Sequence, residues 1–257
     1  MSRIFITGST DGLGLAAAKL LVSQGHTVVG HARNESRARG ARSAVPDFED
    51  VLIGDLESMG SVRALAESAN ASGRFDAVIH NAGIGFREPR KRTTVDRHAH
   101  VLAINVLAPY VLTSLMTRPD RLVYLSSVMH RSGDDSLADP DWNSRRWDGS
   151  QAYADTKLFD AVLAFAVARR WPDVLSNAVE PGWVATKMGG RSASDDLALG
   201  HVTQAWLAAG SEPGSHVTGE YFYHQRKLTP DFAVRSTEFQ EKLLRTLEEL
   251  TGVALPE

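Results

Sequence analysis

Short apolar stretches alternate with longer segments of helical periodicity along almost the whole chain. The apolar stretches are rich in β-branched residues and predict seven strands, at 3–7, 27–31, 51–53, 77–80, 122–125, 174–179 and 220–223. The segments between them predict helices over 13–24, 58–69, 95–115, 152–170 and 195–209. This alternation is typical of a parallel sheet with crossover helices, and no break in the rhythm marks a second domain. We therefore predict one α/β domain over residues 1–257, with a doubly wound, seven-stranded parallel sheet and helices on both faces.

The predicted helix over 152–170 is apolar on nearly every side, through Leu158, Phe159, Val162, Leu163, Phe165 and Val167. A helix of this kind is buried on more than one side. Its cover could be a second copy of the chain or another segment of the same chain, and the sequence leaves both open. A homo-oligomer that assembles through this helix is therefore one expectation.

Composition limits the classes of protein to consider. The chain has 257 residues, 43% of them hydrophobic, and a formal net charge of −3, with one short basic stretch at 87–92. Such a stretch is more typical of a solvated loop than of a nucleic-acid surface, so we expect no nucleic-acid partner. The absence of cysteine excludes disulfides and thiolate chemistry, and the histidines lack the spacing of metal ligands, so we expect no metal site.

Nothing in the sequence predicts a membrane segment. No run of about 18 apolar residues occurs. The first predicted strand starts at residue 3, which leaves no room before it for a signal peptide or an anchor. We expect a cytoplasmic protein without membrane contact.

A glycine-rich turn joins the first predicted strand to the first predicted helix. Gly8 permits a tight turn, Gly12 lets a pyrophosphate approach the backbone, and Gly14 allows close packing of helix on strand. The exposed amides and the helix dipole favour an anion. The spacing is Gly-x-x-x-Gly-x-Gly rather than the common Gly-x-Gly-x-x-Gly. Its place in a βαβ unit predicts a Rossmann fold and a dinucleotide site that includes Thr7, Gly8, Ser9, Thr10, Asp11, Gly12, Leu13 and Gly14.

The end of the second predicted strand indicates which dinucleotide binds. An acidic residue there would hold the ribose 2′-hydroxyl of NAD, but the chain has Arg33 and Asn34 instead. The planar fork of an arginine suits a 2′-phosphate. We therefore predict NADP(H), with NAD as the weaker alternative, Arg33 as the discriminating residue and Asn34 as a helper.

Tyr153 and Lys157 are four residues apart in a predicted helix, so they share one face. A free phenol is a poor acid or base at neutral pH, but a nearby ammonium favours its ionised form. The pair could therefore perform acid/base chemistry. Because Tyr-x-x-x-Lys also arises by chance, the remaining motifs decide its meaning.

These motifs together resemble the short-chain dehydrogenase/reductase family, in the family's order and over nearly the whole chain. Beside the glycine loop and Tyr-x-x-x-Lys, the matching residues are Asp55-Leu56, Asn81-Ala82-Gly83, Asn105, Ser126-Ser127 and the segment from Pro181 to Thr186. The chain as a whole resembles the retinol-dehydrogenase-like or carbonyl-reductase-like branch, and its long segment at 128–152 is similar to that of the retinol-dehydrogenase-like and light-dependent protochlorophyllide-reductase-like branches.

The resemblance implies a hydride transfer between a nicotinamide and a carbonyl or secondary alcohol. Tyr153 would be the general acid/base, Lys157 would favour its ionisation and hold the ribose, Ser127 would bind the substrate oxygen, and Asn105 would reach Lys157 through a water relay. Ser126 is the neighbouring candidate for the serine role, and the family pattern favours Ser127. Further cofactor contacts implied are Asp55, Leu56, Asn81, Ala82, Gly83, Tyr153, Lys157, Pro181, Gly182, Val184 and Thr186.

The resemblance also implies a substrate lid at 187–200, which is short here and suggests an open site and a bulky substrate. Candidate walls of that site are Trp142, Trp147, Trp183 and Met188, each of which could equally be simple packing. Glu180 and the 128–152 segment receive no function from the sequence.

Two other functions stay open at this point. Extended relatives that act as sugar-nucleotide epimerases or dehydratases also use Tyr-x-x-x-Lys, but their glycine spacing differs and their chains are longer. A non-catalytic redox sensor on the same fold would bind the dinucleotide without turnover, and such proteins usually lack the tyrosine or the lysine.

Overall fold

The computed structural model describes residues 1–257. The strands are β1 (Arg3–Ile6), β2 (Thr27–Ala32), β3 (Asp50–Ile53), β4 (Ala77–His80), β5 (Arg121–Leu125), β6 (Leu175–Glu180), β7 (Tyr221–Tyr223) and β8 (Arg226–Leu228). The helices are α1 (Gly12–Ser23), α2 (Glu35–Ala44), α3 (Met59–Ala71), α4 (His100–Leu102), α5 (Ala108–Leu115), α6 (Gly149–Arg170), α7 (Val202–Ala209), α8 (Phe232–Arg235) and α9 (Thr237–Thr251). A π-helical turn over Ala103–Leu107 joins α4 to α5.

All eight strands form one sheet in the order β3-β2-β1-β4-β5-β6-β7-β8. The first seven are parallel, as predicted, and β8 pairs antiparallel with β7. The prediction of seven strands is therefore wrong by one edge strand. The sequence gives little sign of β8, because its three residues are all exposed and carry no apolar alternation. His224 and Gln225 form the hairpin turn with φ values of +46° and +62°, as two-residue turns between antiparallel strands require.

The helices cover both faces of the sheet. A core of 44 buried residues lies on the face covered by α3, α5, α6 and α9, and a core of 22 lies under α1, α2 and α7. This confirms the predicted single α/β domain with helices on both faces. None of the helices combines the length and the apolar character needed to cross a membrane.

Three helices, α2, α8 and α9, were not predicted, and two predicted helices start too early. Helix α2 buries only Ala38 and Ala41 in an otherwise polar segment, so it shows no apolar stripe. The predicted helices over 95–115 and 195–209 begin at His100 and Val202 instead. The missed helix α9 starts at a Ser236 cap and packs Phe239, Leu243, Leu244 and Leu247 into the core.

Helix α6 is covered by the chain's own segments. Every residue from Ala152 to Val167 is buried. The cover comes from the short helical turn at Val128–Ser132 and from α8 and α9. The part of α6 that could have served as a subunit interface is therefore already packed within one chain.

Strand β1 lies between β2 and β4, so the direction of winding reverses at this point of the sheet. In doubly wound sheets, ligands bind in the crevice beyond the carboxyl ends of the strands at such a reversal. The predicted glycine loop follows β1, and Asn81 follows β4. The topology thus brings the glycine loop and the Asn81-Ala82-Gly83 motif together.

Candidate active site

A cavity of about 520 Å³ lies beyond the carboxyl ends of the parallel strands. Its volume is within the range of about 300–1,000 Å³ that is usual for small-molecule and cofactor sites. The predicted site residues on its wall are Gly8, Thr10, Gly12, Leu13, Arg33, Asp55, Leu56, Asn81, Ala82, Gly83, Tyr153, Lys157, Pro181 and Thr186. Motifs that are far apart in sequence therefore meet around one space.

The wall also contains residues to which the sequence did not point, namely His31, Arg37, Glu57, Ile84, Glu88, Arg92, His100, Ile104 and Leu125. Other predicted residues lie behind the wall or beside it, namely Thr7, Ser9, Asp11, Gly14, Asn34, Asn105, Ser127, Gly182 and Val184. Any direct contact of this second group with a cofactor stays a prediction.

The glycine loop leaves room for an anion at the start of α1. Gly8 has a φ of +65°, and a Cβ there would come within 2.8 Å of the Ala82 Cα. Gly12 has a φ of +55° and faces open space, with no atom within 4 Å of a Cβ position. Helix α1 begins at Gly12, and its N-cap Asp11 makes no side-chain capping bond, so the amides of the first turn stay available.

Buried polar side chains hold the loop from behind. The Thr7 hydroxyl accepts hydrogen bonds from the amides of Asn81 and Ala82, both at 3.0 Å. The Ser9 hydroxyl accepts from the His31 amide at 2.8 Å, and the His31 ring accepts from the Gly8 amide at 3.0 Å. Burial lowers the pKa of His31, so the ring is neutral and serves as a fixed acceptor. Thr7 and Ser9 therefore shape the loop.

Two arginines stand where the second strand enters α2. Arg33 is exposed and makes no hydrogen bond or ion pair within the chain, so its guanidinium is free for a ligand. Arg37 lies one helical turn later and donates to the Asp11 carboxylate at 3.2 Å. Asn34, predicted as a helper, caps α2 by accepting from the Arg37 amide at 3.0 Å. Arg37 follows Arg33 by four residues, which could have marked it as a second contact for the same ligand. It was missed because α2 itself was not predicted.

An unexpected polar cluster lies on the wall between β3 and α4. The His100 ring lies between two carboxylates, 2.6 Å from Glu57 and 2.6 Å from Glu88. Arg92 donates to Glu57 at 3.1 Å. The cluster fixes the loop that precedes α4 and gives this part of the cavity a polar wall.

Tyr153 lines the same cavity as Arg33. It is 7% exposed, and its hydroxyl has no nitrogen or oxygen partner, the nearest group being the Met188 sulfur at 4.0 Å. The Lys157 ammonium lies 5.7 Å from the centre of the tyrosine ring. The predicted pair therefore shares one face of α6, and the phenol is free to bond a ligand.

The Lys157 ammonium is held by two hydrogen bonds. It donates to the Leu125 carbonyl and to the Asp160 carboxylate, each at 2.8 Å. Burial disfavours the charge, but the Asp160 carboxylate outweighs it and raises the pKa of Lys157 above its usual value. The ammonium is therefore charged at neutral pH although it is fully buried.

The two adjacent serines have different surroundings. The Ser126 hydroxyl is buried and donates to the Lys157 carbonyl at 2.7 Å. The half-buried Ser127 hydroxyl only accepts, from the Met129 amide at 3.3 Å, so its own proton is free to bind a substrate oxygen. His130 lies directly behind, and its Nδ1 donates to the Ser127 carbonyl at 2.8 Å. Ser126 lines the cavity wall, whereas Ser127 lies beside it, so the choice of Ser127 stays a prediction.

Asn105 lies in the π-helical turn rather than in a regular helix. Its side-chain oxygen accepts from the Ile84 amide at 2.9 Å, and its nitrogen donates to the Ile84 carbonyl and the Thr156 hydroxyl at 3.1 and 3.0 Å. These bonds fix the segment that passes Gly83 and use both N–H groups of the Asn105 side chain. A relay to Lys157 through Asn105 stays a prediction.

The segment after β6 carries the predicted lid. Gly182 has a φ of +85°, and a Cβ there would meet the Asp195 carboxylate at 2.6 Å. Lys187 donates to Asp11 at 2.8 Å, so the segment closes over the glycine loop. Met188 fills the space beside Tyr153. No helix occurs between 187 and 201, and the lid function of 187–200 stays a prediction.

The 128–152 segment packs against the active-site end of α6. Arg145 donates to Asp155 at 2.6 Å and to Asp134 at 3.1 Å, and its guanidinium lies 3.6 Å from the centre of the Trp142 ring. Trp142 and Trp147 are in edge contact, with ring centres 5.4 Å apart. Trp142 and Trp147 pack in one apolar cluster with Tyr153 but do not line the cavity, so their role as pocket walls stays a prediction.

Glu180 belongs to a buried polar network behind the serines. Its carboxylate accepts from the Tyr221 hydroxyl at 3.0 Å, and that hydroxyl lies 3.2 Å from the His130 ring. The other nitrogen of His130 accepts from the Asp231 amide at 3.0 Å. Burial raises the pKa of Glu180. The network ties the Ser127 backbone to β7 and to the C-terminal segment.

Comparison with known proteins gives a consistent set of relatives. The family model described as short chain dehydrogenase matches residues 2–129. An uncharacterized oxidoreductase of Emericella nidulans is 44% identical over 100% of this chain and 99% of its own length. A short-chain dehydrogenase of Penicillium rubens is 40% identical over 100% of both chains. A Streptomyces protein provisionally named a daunorubicin C-13 ketoreductase is 33% identical, over 88% of this chain and 84% of its own.

Solved structures show the same fold at lower identity. An uncharacterized protein from Mycobacterium paratuberculosis superposes with a TM-score of 0.86 over 100% of this chain and 96% of that chain, at 24% identity. A blue fluorescent protein from a metagenomic library, crystallised with NADPH, superposes with a TM-score of 0.69 over 86% of this chain and 94% of that chain, at 22% identity.

Proposed function

The chain belongs to the short-chain dehydrogenase/reductase family, and from that premise we propose that it is an NADP(H)-dependent oxidoreductase in which Tyr153 exchanges a proton with the substrate oxygen. As a member of the family it is an oxidoreductase of CH–OH or C=O groups with a nicotinamide cofactor. One observation carries the finer proposal. Tyr153, the buried Lys157 and the free Arg33 line one cavity, and the Tyr153 hydroxyl has no partner within the chain except the Met188 sulfur at 4.0 Å.

The residues present fit NADP(H). The first turn of α1 and the open side of Gly12 suit a pyrophosphate, and Asp55 and Leu56 lie on the wall where an adenine would be held. Arg33 and Arg37 bring two positive charges to the place where a 2′-phosphate would lie, and no acidic residue takes that place. We therefore propose NADP(H) over NAD.

When bound, the nicotinamide supplies the hydride in reduction or accepts it in oxidation. Tyr153 then donates a proton to the developing alkoxide, or removes the hydroxyl proton in the reverse direction. Lys157 stabilises the phenolate form by its charge. Ser127 donates a hydrogen bond to the substrate oxygen, where negative charge develops.

The surroundings of Tyr153 favour a carbonyl attached to a bulky apolar body. Phe86 lies 5.9 Å from Tyr153 between ring centres, and Trp142 and Met188 pack in the same cluster. Met188 of this cluster lines the cavity together with Tyr153, and Phe86 and Trp142 pack behind them. We therefore place the substrate among aromatic or alicyclic ketones and the matching secondary alcohols.

Absorbance of NADPH, followed with a panel of such ketones, tests the proposal. We expect turnover by the native protein and a loss of about 10²–10⁴-fold in kcat for Tyr153→Phe, with the Kd of NADPH nearly unchanged, because only the proton donor is removed. Tyr223→Phe is the matched control, since that hydroxyl lies outside the cavity and bonds only Asp195. Equal kcat in native protein and Tyr153→Phe would rule out the assigned role.

A further inference from the structure

Asp160 has no partner that explains its burial except the Lys157 ammonium. The carboxylate is 3% exposed and lies inside the core of α6, one turn beyond Lys157. It accepts from Lys157 at 2.8 Å and makes no ion pair with any other cation. It does not reach the cavity wall, so it cannot touch a substrate or a cofactor.

A purely structural role explains this pair poorly. Removing two charges from water costs several kcal/mol per ion, and replacing a buried pair by apolar side chains is often neutral or stabilising. The surrounding positions on α6 are already apolar, including Leu158, Ala161 and Leu163. A buried ion pair among such apolar residues indicates that the charge on Lys157 serves a purpose other than stability.

The two hydrogen bonds of the Lys157 ammonium leave its third N–H group without a partner. Two of its three N–H groups are used by the Leu125 carbonyl and by Asp160. Nζ lies 3.6 Å from the position that a Cβ on Gly83 would occupy, and both residues line the cavity. The third N–H is therefore the donor left for the cavity side.

We infer that Asp160 is a positioning residue for the proposed reaction: its buried carboxylate keeps the Lys157 ammonium charged and leaves one N–H of Lys157 for the cavity. The inference rests on the proposed function, because it assigns a support to the Lys157 that acts there. Asp160 acts only through Lys157.

The other ionisable groups around the pair do not replace either partner. Tyr153 faces Lys157 from the same helix. Tyr124 on β5 faces Asp160, and its hydroxyl is bonded to Thr113 at 2.7 Å. His80 on β4 stacks on Tyr124 and is neutral, because burial lowers its pKa to about 3. The ammonium and the carboxylate are therefore the two charges that face each other in this part of the core.

The charge on Lys157 can be measured without turnover. In protein labelled with [ε-¹³C]lysine, with the Lys157 signal assigned by Lys157→Met, we expect the native ammonium to persist to alkaline pH. In Asp160→Asn the amide oxygen can still accept the hydrogen bond, but the negative charge is gone. Its Lys157 should lose its proton at a pH lower by about two units or more.

The same change should appear in catalysis. With NADPH and a ketone that the native enzyme reduces, the alkaline limb of the kcat profile of Asp160→Asn should move to lower pH along with the NMR titration. The KM of the ketone should stay near the native value, because the carboxylate does not touch the cavity. Asp155→Asn is the matched control, since Asp155 is also buried on α6 and paired with a cation, Arg145, and should leave the Lys157 titration in place.

An unchanged Lys157 titration in Asp160→Asn would overturn the inference. Native protein that reduces no ketone would contradict the proposed function instead, and the NMR titration would still decide the role of Asp160. If Asp160→Asn does not fold, the double variant Lys157→Met/Asp160→Asn decides. If the double variant folds, the single variant failed because its buried ammonium had no counter-charge, which supports the inference. If the double variant also stays unfolded, Asp160 is needed for packing alone, which overturns the inference.

Discussion

At the scale of residues, the proposed preference for NADP(H) rests on Arg33 and Arg37 on the cavity wall. Arg33 could be singled out from the sequence because an arginine takes the place of an expected acid. Arg37 could not, because its helix buries only two alanines and has no apolar stripe. Similarly, Asp160 has no motif, and only the fold shows that its carboxylate is buried against Lys157.

Arg33→Ala tests the role of these charges. We expect the Kd of NADPH to rise by about 10–100-fold, since a charge-assisted hydrogen bond to a phosphate is worth about 1.5–3 kcal/mol. The Kd of NADH should change little, because NADH lacks the 2′-phosphate. Fluorescence titration measures both.

Arg39→Ala is the control for that change, since Arg39 lies on α2 shortly after Arg33 but points to solvent and pairs with Glu35 at 3.6 Å. It should leave both Kd values near the native ones. Equal weakening of NADPH and NADH in Arg33→Ala would refute the assignment of Arg33 to the 2′-phosphate.

At the scale of elements, the junction of β1 and α1 depends on glycines without side chains. A Cβ on Gly14 would lie 2.4 Å from the Asn81 side chain and 2.5 Å from the Gly8 carbonyl. We therefore expect Gly14→Ala to lower the free energy of unfolding by about 1–3 kcal/mol and to weaken NADPH binding, because the loop and β4 must move apart. Urea denaturation and cofactor titration check both effects.

For Gly40→Ala we expect the opposite effect on the free energy of unfolding. Gly40 is exposed on α2 and has no neighbour within 4 Å of a Cβ position. Alanine should stabilise the helix by up to about 1 kcal/mol and leave NADPH binding as it is. A neutral Gly14→Ala would show that the close packing at α1 is not needed.

The elements of the fold were predictable to different degrees. Strands β1 to β7 appear in the sequence as β-branched apolar runs, and all were found within about two residues of their predicted bounds. Strand β8 and helix α2 are polar on the surface, so they lack periodicity as a signal. The π-helical turn that places Asn105 has no sequence pattern of its own, because it follows from packing around Ile84 and Thr156.

At the scale of the whole molecule, the C-terminal segment completes the core around α6. The sequence showed that α6 needed cover on several sides, and the structure shows that α8, α9 and the 128–132 turn provide it. Arg169 and Arg170 on α6 both bond Glu241 on α9. Which segment covers the helix depends on contacts far apart in sequence, which local patterns do not reveal.

Deleting residues 237–257 should therefore expose apolar side chains of α6, among them Phe159, which packs on Phe239. We expect the shortened chain to aggregate or to form larger species, whereas the full chain should not assemble through α6. Size-exclusion chromatography with light scattering measures the change. A shortened chain with the native mass and the native Tm would show that α9 is dispensable as cover.

The central claim is a direct hydride transfer assisted by a proton from Tyr153, and isotope transfer tests it most directly. The native enzyme is incubated with a ketone and NADPH that carries deuterium at both C4 positions of the nicotinamide, and the alcohol is analysed by mass spectrometry. We predict one deuterium on the carbinol carbon with the native enzyme and almost no product with Tyr153→Phe. Alcohol without deuterium, or the same yield of labelled alcohol from Tyr153→Phe, would contradict the account.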